Sequence, residues 1–114
     1  MKQFIKVMKA LSDPSRVKIL KMLQHRKMCV CEIQEALGVA QSTASSHLKL
    51  LESANLTTFE KDGLWVNYAL ASGEENVYAK TLLNELKNWL EEDGEIEYLI
   101  RKLPYISREE ICRK

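Results

Sequence analysis

Residues 29–51 read Cys-Val-Cys-Glu-Ile-Gln-Glu-Ala-Leu-Gly-Val-Ala-Gln-Ser-Thr-Ala-Ser-Ser-His-Leu-Lys-Leu-Leu, and this stretch decides the fold. Its pattern predicts two short helices joined by a tight turn. The first helix begins around Cys31 and ends at Gly38, which can supply the left-handed residue that such a corner needs. The second helix runs from about Gln41 to about Ser53. The thiols of Cys29 and Cys31 lie at the start of this helix pair, where a reaction of the thiols could change the position of the helices.

The second helix of this pair has one apolar side and one polar side. On a helical wheel of about 100° per residue, Leu48 and Leu51 lie within about 40° of Ala44, and they anchor the helix on a core. The other side carries hydroxyl groups, a lysine and, on its flank, a histidine: Ser42, Thr43, Ser45, Ser46, Lys49 and His47. Hydroxyls reach phosphates and base edges, and lysine neutralises phosphate. The pattern therefore favours a DNA-reading face over a merely solvated one.

Outward from this stretch, the chain predicts a mostly α-helical fold with a small β-hairpin. The further elements are an amphipathic helix over residues 2–11, a helix from Pro14 to about His25, a connection over residues 26–28, a hairpin around Asp62-Gly63, a long helix over residues 74–92 and a short helix from Glu95 to Leu103. A hairpin directly after a helix-turn-helix is a wing, so the order predicts a winged helix-turn-helix. Lys61 near the wing tip could lie along a phosphate backbone.

The helix that starts at Pro14 has a predicted inner and outer side. Val17, Leu20 and Leu23 are expected to face the core, whereas its basic residues are expected to face solvent: Arg16, Lys18 and Lys21. Asp13 is a good N-cap before a proline at the first helical position.

The first and the long helix carry more apolar surface than the small core can cover. Their stripes are Phe4, Ile5, Met8 and Leu11 in one helix, and Tyr78, Leu82, Leu86, Trp89 and Leu90 in the other. We interpret these N- and C-terminal helices as the interface of a homodimer. Residues 1–103 form one DNA-binding and dimerisation domain, and residues 104–114 form a tail that carries Cys112. Ser107-Arg-Glu-Glu110 resembles a capping box, which predicts a last helical turn in this tail.

Charge and composition restrict the class of function. Residues 1–27 have a net charge of +7 and residues 74–114 a net charge of −3, an asymmetry that suits a polyanionic partner. The chain has no apolar run of the ~18 residues that a membrane span needs and no signal peptide pattern, so we expect a cytoplasmic protein without membrane contact. Paired carboxylates, a Ser-His-Asp set and a phosphate-binding glycine loop are absent, which argues against an enzyme.

The cysteines indicate metal or redox chemistry. Three cysteines, two of them separated by one residue, do not form the disulfide framework of a secreted protein. Thiols near a helix N-terminus are expected to have a lowered pKa. Residues i and i+2 of an ideal helix point about 200° apart, so Cys29 and Cys31 cannot chelate one ion from a regular helix. Either the first turn is not helical, or binding must unwind it.

Three motifs carry a resemblance to a known family: Leu11-Ser-Asp-Pro-Ser-Arg16, the Cys29-Val-Cys-Glu32 element and Gln41-Ser-Thr-Ala-Ser-Ser-His-Leu-Lys-Leu-Leu51. Over roughly residues 3–90 the chain resembles the arsenical-resistance repressor (ArsR) family of homodimeric metalloregulators. The Cys-Val-Cys element resembles the subgroup that senses arsenite, antimonite, cadmium or lead. The resemblance implies a repressor that binds double-stranded operator DNA without a cofactor and is released by arsenite or antimonite. It places DNA contacts on Gln41, Ser42, Thr43, Ser45, Ser46, His47 and Lys49, with wing Lys61 as a weaker addition.

The chain also departs from the family pattern. Gln34 stands where arsenite sensors often have a third cysteine, and no cysteine lies near the N-terminus, where cadmium and lead sensors have them. No histidine follows His47, which excludes the zinc site of the C-terminal helix. Cys112 is the candidate third ligand beside Cys29 and Cys31. A cadmium- or lead-responsive repressor, a thiol-redox repressor and a winged-helix protein-interaction module remain as alternatives.

Overall fold

The chain forms a winged helix-turn-helix in a computed structural model that describes residues 1–107. Within this range the α-helices are α1 (Lys2–Ala10), α2 (Pro14–Leu23), α3 (Val30–Leu37), α4 (Gln41–Ser53), α5 (Val77–Leu86) and α6 (Gly94–Lys102), and a 3₁₀ helix follows over Leu103–Tyr105. The strands are β1 (Met28–Cys29), β2 (Thr57–Asp62) and β3 (Trp65–Leu70), in the antiparallel order β1-β3-β2. The predicted fold class is confirmed. Every helix of the described range is too short or too polar to span a membrane.

The helix-turn-helix corner has the predicted bounds. Gly38 ends α3 with a φ of 70°, the left-handed conformation that lets the chain turn into α4. On α4, Ala44, Leu48 and Leu51 are buried, as the wheel predicts. The helix pair is thus fixed on the core through the apolar side of α4, and its other side is left to solvent.

The wing differs from the predicted hairpin in two details. Asp62 pairs with Trp65, so the connecting residues are Gly63 and Leu64 rather than Asp62 and Gly63, and Gly63 supplies the positive φ of 64°. The sheet also has a third strand, β1, within the segment predicted as a connection. Cys29 pairs with Asn67 there, and this ladder ties the start of α3 to the wing.

Lys21 corrects the prediction for α2. It was expected to face solvent, but it is fully buried. Its Nζ donates to the carbonyl oxygens of Leu86 and Trp89 at 2.9 Å each and pairs with the Glu91 carboxylate at 2.8 Å. A buried ammonium is tolerated when its three donors are all satisfied, as they are here. Arg16 and Lys18 do remain partly exposed.

The same contacts explain why the predicted long helix over residues 74–92 is wrong. The helix α5 begins after the N-cap Asn76 and already ends at Leu86. Nζ of Lys21 donates to the carbonyl oxygen of Leu86, the last residue of α5, and to that of Trp89. Leu90 adopts a positive φ of 63°. The chain beyond Leu86 therefore wraps around an ammonium group instead of continuing the helical ladder.

The N-terminus of α2 is capped as predicted. Oδ1 of Asp13 accepts hydrogen bonds from the backbone N–H groups of Ser15 at 2.8 Å and Arg16 at 3.3 Å. Burial alone would raise the pKa of Asp13, but these two bonds and the nearby His47 and Arg16 together lower it below the ordinary value. The carboxylate therefore stays ionised and holds the start of the helix.

Candidate DNA-reading face and thiol site

Helix α4 presents the predicted DNA-reading face to solvent. The exposed residues are Gln41, Ser42, Thr43, Ser45, Ser46 and Lys49. Within residues 1–107 these side chains form no hydrogen bond or ion pair with another part of the protein, so their polar groups are available to a partner. We name this surface the reading face.

His47 differs from the rest of the predicted set, because it is half-buried and held by another side chain. Nη1 of Arg16 lies 3.2 Å from Nδ1 of His47. The same guanidinium donates from Nε to the Ala10 carbonyl at 2.7 Å and from Nη2 to the Lys9 carbonyl at 3.1 Å. A guanidinium can only donate, so a hydrogen bond between these two atoms needs Nδ1 as its acceptor. Arg16 thereby joins the end of α1 to the recognition helix, a role that sequence reasoning missed.

Lys61 lies where the sequence placed it, on an exposed part of β2 next to the turn, and it pairs with Val66 of β3. Its neighbour Glu60 forms an ion pair with Lys27 at 3.0 Å on the surface. An exposed lysine at a wing tip is in a suitable position for a phosphate backbone.

Cys29 lies outside the regular helix. It is the N-cap of α3, with an extended backbone at φ −85° and ψ 168°, and it forms a capping box with Glu32. Oε1 of Glu32 accepts from the backbone N–H of Cys29 at 3.0 Å, and the Cys29 side chain faces the backbone N–H of Glu32. Of the two alternatives from the sequence, the structure matches the first: the two cysteines do not share a regular helical turn.

The predicted lowering of the thiol pKa is wrong for Cys29. Burial raises the pKa of this thiol, since its residue is only 2% exposed. The backbone N–H groups of Glu32 and Cys31 favour the thiolate, but the negative charge of Glu32 opposes it. The helix N-terminus lowers the pKa of the thiol less than desolvation and the Glu32 carboxylate, the other member of the capping box, raise it.

Cys31 lies in the first turn of α3 and is half-buried. In contrast to Cys29, it is not a free thiol in this structure. Metal binding at Cys31 therefore requires the reduced protein, and any binding experiment needs a reductant.

Glu32 and Arg26 connect the thiol site with the end of the described chain. Oε2 of the buried Glu32 pairs with Nη1 of Arg26 at 3.2 Å. Nη2 of Arg26 donates to the carbonyl oxygens of Ile106 at 2.8 Å and Leu103 at 3.4 Å. Sequence reasoning assigned Glu32 no role, although its position three residues after the N-cap was an available signal.

Within residues 1–107, no three side chains of the His, Cys, Asp or Glu type come close enough together to hold a metal ion. The third predicted ligand, Cys112, lies outside the described residues, as does most of the capping box predicted at Ser107-Arg-Glu-Glu110. The described part of the chain therefore contains two of the three predicted ligands, and the chemistry of two thiols suits soft metals and metalloids.

Known proteins resemble this chain in sequence and in fold. A family model described as bacterial regulatory protein, arsR family, matches residues 13–57. The arsenical resistance operon repressor of Bacillus subtilis (strain 168) is 45% identical over 69 residues, which are 60% of this chain and 66% of that protein. The repressor of the same description from Escherichia coli (strain K12) is 32% identical over 100 residues, which are 87% of this chain and 83% of that protein.

A solved structure agrees with these matches. A homodimeric winged helix-turn-helix DNA-binding domain from Mycobacterium bovis, described as a possible ArsR-family transcriptional regulator, superposes with a TM-score of 0.62 at 29% identity. The match covers 76% of this chain and 80% of that domain. The chain spans 66%, 65% and 54% of the lengths of the first three curated relatives.

Proposed function

The chain belongs to the arsR family of bacterial regulatory proteins, and on that premise we propose that it is a metal- or metalloid-responsive transcriptional repressor. It binds operator DNA as a homodimer in the cytoplasm and releases the DNA when arsenite or antimonite binds cysteine thiolates. One observation carries the proposal: the N-cap of α3, the first helix of the helix-turn-helix, is a cysteine. The proposed sensing residue and the helix pair that carries the reading face thus belong to one structural element.

The reading face supports the DNA-binding part of the proposal. Its hydroxyl and amide side chains are exposed and aligned on α4, with Lys49 beside them. Such groups reach base edges and phosphates in a major groove, where a recognition helix fits. His47 offers Nε2 for a DNA contact, because its Nδ1 lies against Arg16. Wing Lys61 adds a phosphate contact.

Three thiolates form the proposed inducer site, from Cys29, Cys31 and Cys112. Arg26 holds the Ile106 carbonyl while it pairs with Glu32, whose carboxylate caps Cys29. Cys112 follows Ile106 by six positions in the sequence, a length of chain that can span about 20 Å. The third ligand can therefore come from the same protomer, and we propose that it does.

The capping box provides the switch. Bonding of the Cys29 sulfur to an inducer removes it from the Glu32 N–H and changes the direction of its side chain. The start of α3 then loses a cap, and α3 packs directly on α4 through the corner at Gly38. A coupling free energy of about 2.8 kcal/mol between the two sites lowers operator affinity a hundredfold.

Exposed apolar side chains support the homodimer. Phe4 of α1 and Tyr78 of α5 contact each other edge to face, with ring centroids 5.4 Å apart, and each remains about 40% exposed. Ile5, Met8 and Trp89 are exposed to a similar degree. A second copy of this surface would cover them, as expected for a two-fold interface.

A fluorescence anisotropy titration on operator DNA under reductant tests the proposed function. The operator affinity of the wild-type protein is measured without inducer and with arsenite, antimonite, cadmium, lead or zinc added. We expect tight binding that falls steeply with salt, and release by arsenite or antimonite at stoichiometric concentration. Release by cadmium or lead alone would favour that alternative inducer class. Failure to bind DNA in all conditions would contradict the proposal and favour a protein-interaction module.

One observation favours a second function, a repressor that responds to thiol oxidation. Cys31 is not a free thiol in this structure, whereas Cys29 is one. The same titration separates the two functions, because an oxidation-responsive repressor releases DNA when the reductant is withdrawn and ignores arsenite in its presence.

Replacing Ser45 or Ser46 by alanine is expected to weaken specific operator binding about fivefold for each missing hydrogen bond, or about 1 kcal/mol. Binding to random DNA should change less, since base contacts carry sequence information and phosphate contacts do not. Anisotropy with both DNAs at one salt concentration measures the ratio. An equal loss on random DNA would make these serines phosphate contacts only. Alanine favours helix, so folding is preserved.

The pH dependence of release is expected to distinguish the inducer classes. Burial raises the pKa of Cys29, so this thiol is protonated at neutral pH. A divalent cation must displace the thiol protons, and its apparent affinity should rise with pH by about tenfold per unit for each proton released, until the raised pKa is passed. Arsenous acid reacts without net proton release, because three thiols and As(OH)₃ give the trithiolate and three waters.

Release curves at several pH values between neutral and mildly alkaline measure this difference. We expect the midpoint for cadmium to move with pH and that for arsenite to stay nearly constant. A cadmium midpoint that does not move would show that no buried thiol is deprotonated on binding.

A further inference from the structure

A groove runs beside the recognition helix, and none of the proposed DNA contacts lines it. It has a volume of about 370 Å³ and lies between α1, the start of α2 and the second half of α4. Its lining includes three cationic side chains and two residues of α4: Lys6, Lys9, Arg16, Leu50 and Ser53. We name it the basic groove.

The two lysines of the basic groove are not neutralised by an ion pair with the described part of the protein. No carboxylate side chain of residues 1–107 lines the groove. Lys6 and Lys9 take part in none of the ion pairs of that range, which involve other lysines and arginines. The guanidinium of Arg16 already donates to the Ala10 and Lys9 carbonyls and contacts His47. Lys6 and Lys9 are therefore the two charges left for a ligand, and that ligand is an anion.

The basic groove continues the reading face. With Ala44 at zero on the wheel, Ser46, Ser53 and Leu50 lie at about 200°, 180° and 240°, so they share one side of α4. Leu50 is 50% exposed and Ser53 is exposed as well. A duplex that lies on Ser46 therefore passes the mouth of the groove on the same side of the helix.

On these observations we propose that the basic groove binds the phosphodiester backbone of DNA, with Lys6 and Lys9 as phosphate contacts. The inference rests on the proposed DNA-binding function and adds α1 to the DNA interface. On α1, Lys9 and Lys6 lie about 140° and 200° from Phe4, on the side away from the apolar stripe. One side of α1 then contacts the second protomer while the other contacts the backbone of the operator.

The experiment is a salt titration of operator binding by the double variant Lys6→Gln, Lys9→Gln. The plot of log affinity against log salt should become shallower by about 0.9 for each phosphate that is no longer neutralised, or by about 3.6 for the four such phosphates of a dimer. Affinity should fall by a similar factor on operator and on random DNA, because phosphate contacts carry no sequence information. Glutamine and lysine have similar helix propensities, so α1 should stay folded.

Two further variants complete the test. Lys80→Gln with Lys87→Gln makes the same change of charge at two exposed lysines that line a groove beside α5 and β3, away from α4. The slope of this control should stay close to that of wild type. Lys6→Arg with Lys9→Arg keeps the charge and should restore the slope.

The outcomes are distinct. The proposal is overturned if the salt slope of the Lys6→Gln, Lys9→Gln variant is unchanged, or if the slope of the Lys80→Gln, Lys87→Gln control falls by as much. In either case the proposed DNA-binding function still holds as long as the wild type binds the operator. A wild type that binds neither DNA contradicts the proposed function itself.

Discussion

Replacing Lys21 by methionine is expected to lower the free energy of unfolding by about 2–4 kcal/mol. Methionine matches the length of the lysine stem but leaves the Leu86 and Trp89 carbonyls without their donor. A buried polar group that loses its partner costs about 1–3 kcal/mol, and the apolar packing of the new side chain offsets part of the loss. Chemical denaturation of the whole chain measures the change.

Lys18 provides a matched control on the same helix. It also forms an ion pair, with Glu95 at 3.2 Å, but its side chain is 29% exposed and its partner 74% exposed. Exposed pairs contribute about 0–1 kcal/mol, so Lys18→Met should change stability little. Similar losses in both variants would mean that Lys21 acts only as a surface charge.

The Lys21 contacts have a second consequence, at the proposed dimer interface. They set the end of α5 and the direction of the chain through Trp89 and Leu90, both of which are exposed. Lys21→Met should therefore also raise the concentration at which dimers dissociate, as measured by analytical ultracentrifugation. Lys18→Met should leave that concentration unchanged.

The recognition helix was predictable because its information is local. Ala44, Leu48 and Leu51 repeat with the helical period, and Gly38 marks the corner with a residue that tolerates positive φ. The bounds of α4 and its exposed face then follow from the sequence alone. The same holds for the cap at Asp13, whose partners are two and three residues away.

The errors come from contacts between residues far apart in the sequence. The helical pattern of α2 predicts a surface position for Lys21, because it contains no information on distant partners. The carbonyl groups that surround the ammonium belong to residues 65 and 68 positions further along the chain. The strand β1 has two residues and exists only through pairing with β3. The end of α5 likewise depends on a group from α2.

The thiol site was predictable in position but not in electrostatics. The spacing of Cys29 and Cys31 already excluded joint binding from a regular helix, and the structure places Cys29 at the N-cap. Its raised pKa depends on how much apolar packing surrounds the sulfur and on a carboxylate that turns back to the cap. Neither quantity is visible in a sequence pattern.

Replacing Cys29 or Cys31 by serine is expected to abolish release by arsenite and to leave operator affinity within a few-fold of wild type. A serine at position 29 is a better N-cap than cysteine and completes the Ser-x-x-Glu capping box with Glu32, so α3 keeps its start. A hydroxyl is a poor ligand for a soft metalloid, and the inducer site then lacks one bond. Anisotropy under reductant should show an arsenite-dependent change of about a hundredfold in wild type and about none in either variant.

Cys112→Ser separates the third ligand from the first two. We expect it to weaken release by arsenite more than release by an arsenical that takes two thiolates, because only the trigonal product needs the third sulfur. Unchanged sensitivity to arsenite would remove Cys112 from the site. Retained release in Cys29→Ser would do more: since Cys29 is the group through which binding disturbs the cap of α3, that result would separate the sensor from the helix that positions the reading face.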